Sequence, residues 1–213
     1  LSGVTSAATF ATGGLLAARI GGTRAGMVLG LYYGGTGVGI VASALLVPPL
    51  AARAVPHAWQ GAWWALAAAA LLATAVAAAA TRTLAAPAVV GAQREPVRWA
   101  TFGFGLAGYG CFGLGYIGYM TFIVSLLREQ QVPQPQIVAF YVLLGLAVVA
   151  SSWLWAGLLQ RFRGGGPLAL LNALLALATL LPVLSTHPLV VFASGALFGA
   201  VFLSVVASTT AFV

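Results

Sequence analysis

The chain has 213 residues, 62% of them hydrophobic and 5% charged, with a mean hydropathy of +1.05. Soluble domains carry about 25% charged residues, so a water-facing surface is excluded and lipid is the solvent for most of this one. The net charge of +7 comes from nine arginines against two glutamates, and the arginines sit in short gaps between apolar runs rather than on one basic face, which excludes nucleic acid as a partner.

Seven stretches reach the length of about 20 apolar residues that a membrane-spanning helix needs. They are Leu1–Ala18, Ala25–Val47, Gly61–Ala80, Trp99–Leu127, Ile137–Leu159, Pro167–Leu184 and Leu189–Val213. The runs are too long, and too lacking in alternation, for strands. The expected fold is therefore all-α, a polytopic membrane protein. The chain opens at Leu1-Ser2-Gly3 in mid-pattern, without the features of a signal peptide. It stops at Ala211-Phe212-Val213 with no polar tail. The expectation is that the native protein has further helices at both ends.

The first stretch ends at Arg19. The second packs small residues at helical spacing: Gly26, Gly30 and Gly34 are four apart, as are Gly35 and Gly39. That spacing lets two backbones approach closely, so these five are candidate helix-packing residues, on a helix that could rock against a neighbour. The same helix carries Tyr32, Tyr33 and Thr36 near mid-membrane. After the third stretch comes Thr81–Arg98, the one long polar interruption, with Arg82, Arg94, Arg98, Glu95 and two prolines. It divides the chain into residues 1–80 and 99–213, read as parts of two helix bundles joined by an inter-bundle loop at 81–98.

The fourth stretch has glycines at 103, 105, 108, 110, 113, 115 and 118, containing GxGxxG three times over. A dinucleotide site would need a preceding strand and a soluble βαβ unit, so that reading is discarded for a slim, bendable helix packed on several sides. Its aromatics converge: Tyr109, Phe112, Tyr116 and Tyr119 fall within about 80° of one face at 3.6 residues per turn. A tyrosine hydroxyl in mid-membrane needs a partner or a watered cavity. Two readings stay open for this face, helix–helix hydrogen bonding and the wall of a substrate path. Cys111, the one cysteine, is a packing residue.

Orientation follows from the arginines. One set of alternate loops holds Arg19, Arg24, Arg82, Arg94, Arg98, Arg161 and Arg163; the other holds Arg53 and Arg128. Basic residues stay on the cytoplasmic side, so the loop at 81–98 is expected to be cytoplasmic. Trp59, Trp63 and Trp64 then mark the outer interface, with Trp99, Trp153 and Trp155 towards the inner one. No Asp, Glu, His or Arg lies in the core of a stretch, so no proton relay or ion site is evident. His57 and His187 read as solvated turns beside prolines. Thr36, Asn172, Ser204, Ser208, Thr209 and Thr210 are neutral hydrogen-bonding candidates. With no Ser/His/Asp set, no HExxH and no CxxC, no catalytic residues, metal site or cofactor are expected. The segment Ser2–Phe10 echoes Ser194–Phe202, with Ser, Gly, Ala and Phe recurring at one offset. That would make the first and last stretches equivalent members of repeated halves.

Three features together resemble the major facilitator superfamily. One is the linker between two bundles. The second is RAGMVLGLYYGGTGVGIVASALLVPP (Arg24–Pro49), which looks like the fifth helix of that family. The third is the run from Trp155 to Arg163, similar to a degenerate copy of its short basic loop G-x-x-x-D-R-x-G: Gln160 replaces Asp, Arg161 matches, and Arg163 stands where Gly is expected. GLYYGGTGVGI, the segment Gly113–Tyr119 and FGAVFLSVVASTTA resemble the YbfB/YjiJ-like branch. The resemblance implies helices four to ten of a twelve-helix, two-bundle fold in the bacterial inner (plasma) membrane. It implies a secondary active transporter of a small organic solute, working by alternating access, monomeric, with a proton as the possible coupling ion. Its substrate-binding candidates here are Tyr109, Phe112, Tyr116, Tyr119, Tyr33 and Thr36. A seven-helix receptor or sensor is the alternative, and a membrane-embedded enzyme is disfavoured for want of catalytic groups.

Overall fold

The structure, a computed structural model, describes residues 2–82, 99–155 and 165–210. Seven α-helices run through these residues, and no strand occurs among them: α1 (Ser2–Gly21), α2 (Ala25–Ala51), α3 (Ala58–Thr81), α4 (Trp99–Glu129), α5 (Gln134–Leu154), α6 (Gly165–Leu184) and α7 (Pro188–Thr210). Helices are what such a sequence must form, because lipid offers no partner for an unpaired backbone N–H or C=O. The protein is thus an all-α, polytopic membrane protein. Six helices are long and apolar enough to cross a membrane, over Met27–Ala51, Ala58–Thr81, Gly105–Glu129, Gln134–Ser151, Gly166–Leu184 and Pro188–Ser208. The seventh, α1, has the length, but threonine, serine, glycine and Arg19 dilute its apolar residues, and it is the least apolar of the seven. Seven spans were expected; among the described residues six are long and apolar enough.

Helix ends differ from the expected boundaries where local chemistry intervenes. Pro48 and Pro49 do not stop α2; they lie in its last turn, and the helix closes with the Ala52 N–H bonded to the Pro48 carbonyl at 2.9 Å. Pro182 likewise sits inside α6. At the end of α4, Gln131 takes a left-handed φ of 59°. The Val132 N–H then reaches the Leu127 carbonyl and the Gln131 N–H the Arg128 carbonyl, each at 2.9 Å. This is a Schellman cap, which turns the chain sharply into α5. His57, at φ 60°, starts α3 from the same left-handed region. The loop at 83–98 and the segment from Ala156 to Gly164, with Gln160, Arg161 and Arg163, lie outside the described residues.

The core is built around α5, which packs against α2 on one side and α7 on the other; α2 and α5 form the most extensive helix pair. Glycine makes that approach possible. A Cβ placed on Gly37 would lie 2.5 Å from the Gly145 carbonyl oxygen, and one on Gly145 would lie 2.8 Å from the Gly37 oxygen. The two backbones therefore cross in direct contact. On the other side of α5, Gly195 of α7 lies under the Phe140 ring, and Gly199 lies against the Leu144 carbonyl. Phe140, Leu144, Val148, Phe198 and Val201 are fully buried between these helices. Further out, Gly13 and Gly14 of α1 make room for the rings of Tyr32 and Tyr33 on α2.

Candidate functional site

The packing glycines expected on α2 separate into two groups. Gly30 and Gly34 are buried, whereas a Cβ on Gly35 or Gly39 would meet nothing within 4 Å. The close crossing uses Gly37, which belongs to neither four-residue series. Gly26 lies in α2 near its start.

On α4 the seven glycines at 103, 105, 108, 110, 113, 115 and 118 all face open space, with no described atom within 4 Å of a built Cβ. The expectation of a helix packed on several sides is corrected here: α4 approaches the other backbones sparsely, chiefly at α6. Side chains hold it instead. Phe112, Tyr116 and Tyr119 form a ladder of rings with Phe198 and Phe202 of α7. Tyr119 stacks on Phe198 at 4.1 Å between centroids, and Tyr116 meets Phe202 at 4.9 Å. Phe112 reaches Tyr116 at 5.3 Å and Phe202 at 6.0 Å. These spacings are those at which aromatic pairs attract beyond their buried area.

Three hydrogen bonds tie the C-terminal half of α4 to other helices. The Tyr119 hydroxyl lies 2.7 Å from Ser194 Oγ, and Ser194 Oγ lies 2.7 Å from the Ala178 carbonyl oxygen. A carbonyl only accepts, so the single serine proton goes to Ala178 and the tyrosine must donate to Ser194. The tyrosine at 8% exposure, and the serine and alanine at 0%, are closed off from any other partner. The reason Ala178 needs a donor is in the sequence. Residue 182 is proline, which has no N–H to give to the carbonyl four residues earlier. Ser194 supplies from α7 the donor that Pro182 withholds from α6. Nearby, Gln130 Nε2 donates to the Pro182 carbonyl at 3.2 Å, and the Tyr141 hydroxyl of α5 donates to the Met120 carbonyl at 3.3 Å.

The N-terminal half of α4 opens onto a cleft of about 520 Å³. Gly105, Gly108, Tyr109, Cys111, Phe112 and Gly115 line it from α4; Leu168, Asn172, Leu175, Ala176 and Thr179 line it from α6, and Val205 from α7. Its wall is mostly apolar. Asn172 Nδ2 donates to the Leu168 carbonyl at 2.9 Å, and the Thr179 hydroxyl donates to the Ala176 carbonyl at 2.8 Å. Because a carbonyl fixes which end of the carboxamide faces it, the Asn172 Oδ1 is left as an acceptor with no protein donor among the described residues. Tyr109 is 40% exposed, and its ring contacts Phe112 at 5.5 Å.

Of the six substrate-binding candidates, the cleft brings together Tyr109 and Phe112. Tyr116 and Tyr119 lie on the same helix but turn into the ladder with α7. Tyr33 is 2% exposed, against Phe10 at 4.9 Å and Tyr32 at 5.2 Å, and Thr36 is half-buried on α2. Tyr32 illustrates the helix-bonding alternative directly, its hydroxyl donating to the Thr9 carbonyl of α1 at 2.9 Å. Trp155, assigned from sequence only to the membrane interface, also ties helices together, since its Nε1 donates to the Ala200 carbonyl at 2.7 Å.

Sequence reasoning did not pick out Ser194, Pro182, Gln130, Phe198 or Phe202 as a connected group. Two traces of it stand in the sequence: the sixth stretch contains Pro182, and Ser194 opens the echo of the first helix. No curated protein and no solved structure matches the chain. A family model described as "Uncharacterised MFS-type transporter YbfB" matches residues 1–213, and with seven helices on view, six of them apolar enough to cross a membrane, the chain belongs to that family of major facilitator superfamily transporters.

Proposed function

We propose that the protein is a secondary active transporter that carries a small, uncharged organic solute across the bacterial inner membrane by alternating access, with a proton as the coupling ion. Residues 1–80 and 99–213 belong to two bundles, joined by a cytoplasmic loop at 81–98. The observation that carries the reading is the cleft between α4 and α6, of about 520 Å³, in a chain of transporter family. Cavities of roughly 300–1,000 Å³ with apolar walls and a few polar groups are those that enclose small molecules.

The lining sets the chemistry of the solute. Among the described residues no carboxylate or guanidinium borders the cleft, and a charged solute facing such a wall would leave water without a counter-charge, at a cost of several kcal/mol. Tyr109 and Phe112 offer ring faces, and Asn172 Oδ1 offers an acceptor. The solute that fits is neutral, largely apolar and carries a hydrogen-bond donor.

The test uses the full-length protein, purified and reconstituted. Neutral ring-containing solutes and their charged analogues are screened by thermal shift, and those that bind are followed as tracer uptake under an imposed pH gradient. The expected result is saturable uptake of neutral solutes, driven by the gradient. Replacing Asn172 with Leu removes the acceptor, and should raise KM about tenfold while leaving the melting temperature close to wild type, since one hydrogen bond to a bound group is worth about 1–1.5 kcal/mol. Binding of charged solutes alone, or uptake indifferent to Asn172→Leu, would overturn the assignment of this cleft.

A further inference from the structure

α4 is fastened unevenly. Among the described residues, every hydrogen bond between it and another helix lies at its C-terminal end, between Tyr119 and Gln130, the residue that follows it: Tyr119 to Ser194, Tyr141 to Met120, and Gln130 to Pro182. None reaches it between Gly103 and Gly118, the stretch that borders the cleft and whose glycines face open space. The tightest of these ties is the chain from Tyr119 through Ser194 to Ala178, which crosses from α4 through α7 to α6. It has two separable parts. The bond from Ser194 to Ala178 repairs the gap that Pro182 leaves in α6. The bond from Tyr119 to Ser194 holds α4.

We propose that Ser194 is a positioning residue for the cleft: by accepting the Tyr119 hydroxyl it clamps the C-terminal half of α4 to α6 and α7, so that the cleft opens and narrows by movement of the N-terminal half alone. Pro182 is what commits Ser194 to this geometry. The Ala178 carbonyl takes the serine proton, and Ser194 is thereby left able only to accept from Tyr119. The clamp is thus oriented by a proline on a third helix. This rests on the reading of the cleft as the solute path only for its role in transport; the geometry itself is testable without a solute.

Cys111, expected from the sequence to be a packing residue, instead lines the cleft and is exposed, which makes it a reporter of cleft opening. The experiment is the rate of Cys111 alkylation by N-ethylmaleimide in the full-length protein in proteoliposomes, read at the Cys111 peptide by mass spectrometry, together with thermal unfolding. Ser194→Ala should speed labelling about three- to tenfold, the shift in population expected for loss of one interhelical hydrogen bond in a membrane. Ser194→Thr, which keeps the hydroxyl, should label at the wild-type rate. The double variant Pro182→Ala/Ser194→Ala separates the two parts. Alanine at 182 returns an N–H to the Ala178 carbonyl, so the melting temperature should recover, whereas labelling should stay fast because Tyr119 still lacks its acceptor. If the double variant labels at the wild-type rate, Ser194 serves only to repair α6 and the clamp is refuted. If Ser194→Ala does not fold, Tyr119→Phe removes the clamp and leaves the repair in place; wild-type labelling of that variant would refute the proposal equally. Loss of transport with unaltered labelling would count against the clamp, while altered labelling with no solute found would leave it standing and count against the transport reading.

Discussion

Two regions of this protein use glycine in opposite ways. Along the line from α2 through α5 to α7, Gly37, Gly145, Gly195 and Gly199 each have a neighbour where a Cβ would be, and at Gly37, Gly145 and Gly199 the other helix's backbone is part of it. On α4, seven glycines have nothing within 4 Å. In the first region the absence of a side chain lets backbones touch and adds dispersion contacts over the whole crossing. In the second it leaves a helix with little side-chain bulk between its aromatic residues, and a cleft beside it. Glycine content alone does not distinguish a tight joint from a loose helix; what the missing Cβ faces does.

The sharpest way to break the comparison is Gly145→Val. The added atoms would run into the Gly37 carbonyl and Val41, neither of which can give way without separating α2 from α5. The expected cost is about 3 kcal/mol, the upper part of the range for overpacking, seen as a large fall in melting temperature and a loss of folded protein on extraction. Gly195→Ala is a milder version, because its neighbour is the ring of Phe140, which can shift. About 1–2 kcal/mol of destabilisation is expected, measured in the same unfolding assay. Gly110→Ala on α4 should have the opposite sign. With open space around it, alanine restricts the unfolded chain and gains about 0.5–1 kcal/mol of stability. A fall in stability there would show that Gly110 is closely packed in the membrane. If instead the variant is more stable but transports more slowly, the looseness of α4 is needed for turnover. The smallest effect is expected from Tyr116→Phe. Its ring contacts with Phe112 and Phe202 persist, so the stability should stay within about 0.5 kcal/mol of wild type, and any change in solute KM would report the hydroxyl alone.

The same contrast shows how far the sequence could be read. The period of four in Gly26, Gly30 and Gly34 picks out a face of α2, but helical spacing gives a face and not a neighbour. Gly37 makes its contact because Gly145 stands opposite, on a helix more than a hundred residues later in the chain. The convergent aromatics of α4 were legible as a face. Their division was not: Tyr109 borders the cleft, whereas Tyr119 is taken up by Ser194, and that depends on where α7 lies. Pro182 stands in plain sight inside an apolar stretch, yet the consequence of its missing N–H depends on which side chain comes near the Ala178 carbonyl.

What the sequence by itself determined is the class of the protein and the number and approximate limits of its helices. Hydropathy is a sum over local residues, and in lipid a long apolar run has little choice but to close its own backbone hydrogen bonds as a helix. What only the tertiary structure decided is which helix each small or polar residue meets. Among helices of nearly uniform apolar surface the hydrophobic effect does not choose a partner, so the choice falls to close packing at a few glycines and to a few hydrogen bonds between helices. Those contacts join residues far apart in the chain, and no local pattern encodes their pairing.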